Sequence, residues 1–264
     1  MVSMYLEMIR IRFLMMLAYR TNYYSGILIY SINIGAYYFL WTAIYSGQES
    51  LGGLTVTQMT TYVAVAWMAR AFYFNNIDRE IAQEIREGKV AVEMVRPYHY
   101  LTMKTMQGLG EGLFRLFFFS APGLLIVWLV FPLDFSASGW TWFMFALSLV
   151  FSFIINTQLN LMTGLLTFFF FNNDGLIRAK RIAIDLFSGL ILPISFYPGW
   201  AQTVMGYLPF QAISYIPSMI FTEAFTGQEV WSAILFQALW AALLVVPLQV
   251  LWLLAKKQLV VQGG

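Results

Sequence analysis

The side chains of this sequence able to do chemistry crowd into one stretch. Between Asn75 and Lys104 stand Asp78, Arg79, Glu80, Glu84, Arg86, Glu87, Lys89, Glu93, Arg96 and Lys104, ten of the 28 charged residues of a chain that is only 11% charged. Carboxylates and guanidiniums at that density can recognise a charged surface, but they match no catalytic constellation. No Gly-x-x-x-x-Gly-Lys-Ser/Thr loop is present to cradle ATP phosphates, because the only Gly-Lys pair, Gly88-Lys89, runs on into Val90. The single histidine, His99, follows Pro97 at the edge of the charged run, where an ordinary solvated histidine is expected. There is no His-Glu-x-x-His pair, no plausible serine triad and no pair of intramembrane aspartates. No catalytic residue, no metal site and no cofactor held by this chain is therefore expected.

The charged run must be positioned by something, and its own pattern says what. Ile77, Ile81 and Ile85 recur every four residues, with Asp78, Glu80, Glu84 and Glu87 on the other faces and Gly88 placed to end the element. That pattern predicts an amphipathic helix of about three turns over 76–88. Its apolar stripe has three possible destinations: the bilayer, the protein's own surface, or a docking partner.

The rest of the chain is a membrane protein. At 60% hydrophobic and 18% aromatic, with a mean hydropathy of +0.69, it lies well beyond the apolar share of about 45–50% usual for soluble domains. The net charge of +2 reflects lysines and arginines that membrane topology can explain, so it is no argument for a nucleic-acid partner. No cysteine is present, which rules out disulfides and thiolate metal sites. No cleavable signal sequence is evident.

Taken in order, residues 1–20 suit an interfacial helix with Arg10, Arg12 and Arg20 on lipid phosphates. Uncharged or nearly uncharged runs then predict spans over 22–45, 55–74, 106–131, 140–171 and 230–254. Arg70, near the end of the second, is expected to snorkel. Gly108 and Gly112 open the third with small-residue spacing, and Glu111 and Arg115 form an expected i, i+4 ion pair. The fourth, at about 48 Å if wholly helical, overshoots a bilayer core of about 30 Å. Asn156 and Asn160 share one of its faces; interhelical hydrogen bonds are expected of them, or a place on a polar cavity wall. Asp185 is the one acidic candidate for ion coupling, but it is expected to pair with Arg181 or with water at the interface.

Sorting basic residues by side gives orientation. Thirteen lysines and arginines fall on the side of both termini and the charged run, while the loops 46–54, 132–139 and 197–229 have none. By the positive-inside rule both termini and the 76–88 helix are cytoplasmic. Parity then requires residues 182–229 to cross an odd number of times, and four prolines between Asp185 and Glu223 exclude a long straight helix. A fifth span over 182–197 followed by a re-entrant extracellular hairpin over 198–222 satisfies both. The expected fold is thus all-α, a single transmembrane domain over 1–264 with six spans.

In this order of elements, and in Asp78 to Gly88 followed by Arg96-Pro97, Phe196-Tyr197-Pro198-Gly199-Trp200 and Leu208-Pro209-Phe210, the chain resembles the membrane subunit of bacterial ATP-binding-cassette exporters of the type-2 (ABC-2-like) architecture. The resemblance implies a permease in the cytoplasmic membrane, paired with an identical or sister permease and resting on separate ABC-type ATPase subunits that hold the ATP and magnesium. It implies a coupling helix carried by Asn76, Ile77, Asp78, Glu80, Ile81, Glu84, Ile85, Glu87, Gly88, Arg96 and Pro97, whose carboxylates meet basic groups on the ATPase. It implies an extracellular gate built on Pro193, Tyr197, Pro198, Trp200, Pro209, Phe210 and Pro217. Reversing Glu84 and Glu87 together is expected to uncouple ATP hydrolysis from transport without unfolding the protein. The competing classes are a secondary transporter or channel, disfavoured by scarce central ionisable groups, and a membrane scaffold. A cavity lined by Phe, Tyr, Met and a few Asn suits an amphipathic drug, peptide or lipid.

Overall fold

The computed structural model describes residues 2–18, 21–131, 133–135 and 137–262, so Arg20 and Pro132 lie outside the described residues. The described chain is helical apart from one two-stranded ribbon, as an all-α membrane protein should be. Among the described residues four helical stretches are long and apolar enough to cross a membrane: Gly26–Tyr45, Tyr100–Val130, Gly139–Phe168 and Gln228–Gln258. They coincide with four of the expected spans.

The first helix, α1 (Val2–Ala18), lies along α6 (Tyr100–Arg115). The approach is close because α6 carries no side chain at Gly110, where a Cβ would stand 2.4 Å from the Ile9 carbonyl oxygen. Helix α2 (Thr21–Tyr45) ends at a ribbon, Ser50–Leu51 with Leu54–Thr55, whose turn residues Gly52 and Gly53 both have positive φ, the conformation a tight hairpin demands. Thr55 then starts α3 (Val56–Tyr73) with a reciprocal capping box to Gln58. Helix α3 is where the second span was expected. Thr57, Gln58, Thr60, Thr61 and Arg70 dilute its hydropathy, and it is sheltered by neighbours instead, buried almost throughout its length.

Helices α4 (Ile77–Arg86) and α5 (Lys89–Val95) make up the charged stretch. Gly88 separates them at φ +71°, a left-handed conformation that glycine adopts without cost. After α6 the helix continues through a π-helical turn, Leu116–Ser120, into α7 (Ala121–Val130). Helix α8 (Gly139–Leu165), capped by Ser138 and closed by a 3-10 turn at Leu166–Phe168, is the hub of the fold. It packs against α3 and α4, and against three elements later in the chain, α11 (Tyr215–Phe221), α12 (Gln228–Leu243) and α13 (Val245–Gln262). The junction of α12 and α13 falls just before Pro247, which cannot donate the backbone bond a continuous helix needs.

The segment between α8 and α12 departs most from expectation. Helix α9 (Asp174–Phe187) begins eight residues before the expected fifth span and stops short of its end. Gly189 at φ +80° and Pro193 prevent one helix from covering 182–197. The chain continues instead as a series of short pieces: a 3-10 turn at Ile194–Phe196, α10 (Gly199–Tyr207), a 3-10 turn at Pro209–Ala212, and α11. Pro193 and Pro198 precede the first turns of their elements and Pro209 opens the next, positions where a missing N–H costs nothing.

Candidate functional site

The 76–88 helix forms where its periodicity placed it, and its stripe turns inward. Ile77 and Ile81 are buried, and Ile85 packs beside them against Leu161 and Leu165 of α8 and Trp252 of α13. The seat is shaped by glycine. A Cβ at Gly164 of α8 would lie 2.9 Å from Ile81 Cβ and 3.1 Å from the Asp78 Cα, so only a bare backbone lets the two helices come this close. Gly108 of α6 does the same for Ile77, whose Cδ1 would be 2.7 Å from an added Cβ. Of the lipid, self and partner destinations, the apolar stripe takes the second.

The acids of the same helix are equally committed. Asp78, with its side chain 1% exposed, accepts from Lys180 Nζ of α9 at 2.6 Å. The same ammonium bonds Asn160 Oδ1, and Asn160 Nδ2 donates to Asn75 Oδ1 at 2.7 Å. Glu80 pairs with Arg12 of α1. Glu84 takes Lys104 Nζ, on a side chain 4% exposed, and the Tyr100 hydroxyl at 2.7 Å, both from α6. Arg12 also reaches Glu111 at 2.8 Å, and Glu111 pairs with Arg115 as its i, i+4 spacing predicted. These are charges removed from water, which persist only because each has a partner and further hydrogen bonds.

Three expectations are corrected here. Arg12 faces Glu80 and Glu111 rather than lipid phosphates, because Gly110 brings α1 within its reach. Asp185 pairs with Arg70, at 2.6 and 3.3 Å, rather than with Arg181, so Arg70 is an interhelical anchor and does not snorkel. Arg181 instead donates to Asn76 Oδ1 at 3.1 Å and stacks over the Phe74 ring at 5.0 Å. A cation in place of Glu84 would face the buried Lys104 ammonium.

What α4 shows to the outside is a different set: Arg79, Gln83, Arg86 and Glu87 are exposed. Glu87 is held by Lys89 and by Gln83 Nε2 at 2.7 Å, and Arg86 lies 3.6 Å from Asp174 of α9. Arg96 and Pro97 end α5 at the same rim, with Arg96 3.5 Å from Glu93.

Asn156 and Asn160 make interhelical hydrogen bonds and also line a small polar cavity. Asn156 Nδ2 donates to the Tyr73 carbonyl at 2.8 Å, Arg115 to that of Phe74 at 2.8 Å, and Asn160 to that of Asn75 at 3.2 Å. Together they satisfy carbonyls that the end of α3 leaves unpaired. The cavity beside them is bounded by Arg70, Lys180, Arg181 and Asp185. A larger and almost wholly apolar cleft of about 270 Å³ lies between α3, the π-helical turn and α8, walled by Met68, Phe117, Leu124, Trp142, Phe145 and Phe221.

The proline-broken segment leans on α3 from the other side. Tyr62 donates to the Gly189 carbonyl at 2.6 Å and Tyr73 bonds Ser214. Tyr197 donates to the Leu186 carbonyl at 2.9 Å, while Gln202 bonds the carbonyls of Ser195 and Tyr197. Phe210 meets Phe187 with ring centroids 6.1 Å apart. Pro209 and Pro217 are buried, and Trp200 is 75% exposed.

The family model described as ABC-2 family transporter protein matches residues 31–263. The chain belongs to the ABC-2 transporter family. A search of the curated proteins returns no match. As an ABC-2 protein it is a multi-pass membrane subunit of a class that works with an ABC ATPase. Members of this family are usually not catalytic themselves, in keeping with the missing phosphate loop. The small-residue spacing of Gly108 and Gly112 was visible in the sequence, but not what it serves: with Gly110 these glycines face three elements at once, Gly108 toward α4, Gly110 toward α1 and Gly112 toward the Phe72 carbonyl of α3.

Proposed function

We propose that this ABC-2 chain is the permease subunit of an ATP-driven exporter that moves an amphipathic substrate out of the cell, with ATP and magnesium bound by a separate ATPase. In this reading both termini and α4 are cytoplasmic, α4 is the coupling helix, and α10 and α11 belong to an extracellular re-entrant gate after a fifth, broken crossing. Two permease chains, identical or sister, form the pathway between them.

The observation that carries the reading is the attachment of α4. A helix that transmits displacement must be stiffly joined to what it moves, and α4 is seated on Gly164 and tied by Asp78 to Lys180 and by Glu84 to Lys104. Helix α3, which leads into that junction, grips α9 through Arg70 and the proline-broken segment through Tyr62 and Tyr73. One packed route therefore joins the two, with the polar cavity at its charged end and the apolar cleft along its flank. The apolar cleft offers a surface for the apolar part of such a substrate.

The test is reconstitution. The permease copurified with its ABC ATPase and placed in proteoliposomes should raise ATP turnover above that of the isolated ATPase and expel an amphipathic fluorescent dye only when ATP is supplied. Dye flux from the permease alone, without ATPase, would establish a secondary transporter instead.

A further inference from the structure

We propose that Arg79, Arg178 and Arg181 form the docking surface for an acidic segment of the partner ATPase, so that the charge polarity of the contact is the reverse of the one α4 suggests by composition. The inference rests on the reading of α4 as the coupling helix and adds the chemistry of what it meets.

The acids are accounted for first. Of the four carboxylates of α4 and its cap, Asp78, Glu80 and Glu84 bind cations of the chain's own helices, and Glu87 is bonded to Lys89 and Gln83. None is left to attract a basic partner. The cations are not balanced in the same way. Among the described residues no carboxylate lies within ion-pair distance of Arg79, Arg178 or Arg181, and all thirteen acids of the chain are among the residues described.

Arg79 and Arg181 stand on two helices packed together, and Arg178 lies on the turn of α9 before Arg181. Helix α9 packs on α4, where Arg86 and Asp174 meet at 3.6 Å, and Arg79 is near enough to repel both Lys180 and Arg181 electrostatically. Arg79 and Arg178 are exposed, while Arg181 is half-buried with only Asn76 Oδ1 and the Phe74 ring as partners. Arg181 feels Arg79 and Arg70 as well as the more distant Asp78 and Asp185, and neither Arg79 nor Arg178 has a carboxylate within ion-pair distance.

A membrane surface is also anionic, but the outward face of α4 argues for protein. While α9 exposes Leu176 and Ile182, the α4 face carries Arg79, Gln83, Arg86 and Glu87 with no exposed apolar residue. Its mixed signs suit a groove whose charges can be matched one by one.

Binding of the copurifying ATPase to the detergent-solubilised permease, titrated at low and high salt, tests this. The Arg79→Glu/Arg178→Glu variant should bind at least ~10-fold more weakly and lose most of the salt dependence. Asp or Glu to Arg exchanges on the ATPase should restore binding to that variant. Unchanged affinity and salt dependence in a variant that melts like the parent would overturn the polarity and leave α4 docking intact, whereas a parent chain that retains no ATPase would overturn the docking itself. A variant that keeps the ATPase but loses its preference for phosphatidylglycerol over phosphatidylcholine nanodiscs would make the cluster a lipid contact and sink the proposal. If the reversal does not fold, the milder Arg79→Lys chain treated with a carbodiimide must give an amide link from position 79 to an ATPase carboxylate, and absence of that link counts against the inference.

Discussion

Two sides of α3 are held by opposite kinds of structure. At its C-terminal end, α4 is fastened by buried ion pairs and by glycine-permitted contact, interactions that are directional and costly to break singly. Along another face, the segment from Ser188 to Phe221 is a run of short helices separated by prolines and held by single hydrogen bonds of the Tyr62, Tyr73 and Tyr197 hydroxyls and by apolar packing. The first arrangement suits an element that must move as one body with the helices around it. The second is held by few directional bonds, which fits the gate proposed for it. Composition alone does not reveal the difference, since the stiff end is the polar one.

The largest effect that would break this contrast is expected at Asp78. Asp78→Ala leaves the Lys180 ammonium buried beside Asn160 without its counter-charge and should cost about 3–5 kcal/mol. Melting of the detergent-purified protein, followed by tryptophan emission, measures it. Adding Lys180→Met should recover more than half of the loss, because the penalty belongs to the orphaned charge. If the single variant melts like the parent, the junction is not stiffened by this pair.

Two glycines give the next test, one on each side. Gly164→Ala presses a methyl onto Ile81 and the Asp78 backbone and should cost ~1–3 kcal/mol while reducing ATPase stimulation. Gly189→Ala adds a φ of +80° to a Cβ 2.8 Å from Tyr215 Cβ and 2.9 Å from the Tyr62 hydroxyl; a similar loss of about 1–3 kcal/mol is expected. Its functional signature should differ: ATP turnover stays stimulated while transport falls. Equal effects on both readouts at both sites would erase the distinction between lever and gate.

Much of this was legible in the residues. Isoleucines every four positions and Gly88 placed α4 to within two residues, and uncharged runs located the four most apolar spans, because periodicity and hydropathy are local properties. The proline count rightly excluded one long helix between Asp185 and Glu223. What stayed hidden depends on who stands opposite. Nothing in the spacing says that Asp185 meets Arg70 from 115 residues away, or that Glu80 meets Arg12 rather than a partner. An acidic helix reads as a docking surface until the cations of α1, α6 and α9 are placed beside it.

A smaller change sharpens the gate side. Tyr62→Phe removes the hydrogen bond to the Gly189 carbonyl while keeping the ring, and should cost about 0.5–1.5 kcal/mol. The same melting measurement checks it. A loss as large as that at Asp78 would mean that the broken segment, too, hangs on a single polar contact.

The smallest effect is expected at Glu87, on the outer face of the same helix that Asp78 locks from within. Its carboxyl is held below its ordinary value of 4.5 by hydrogen bonds from Lys89 and then Gln83, so any stability it lends is present above that value and fades as pH falls through the lowered one. The group is fully exposed, and water and salt screen what the pair gains. Glu87→Gln should therefore leave the melting temperature at neutral pH, and its change between pH 7 and pH 5, indistinguishable from the parent. Arg79 and Arg178 remain in place in that variant, so ATPase binding should hold or strengthen slightly as a negative charge leaves the surface. A marked fall in binding would return Glu87 to the role its composition first implied, and would make the partner basic at that point.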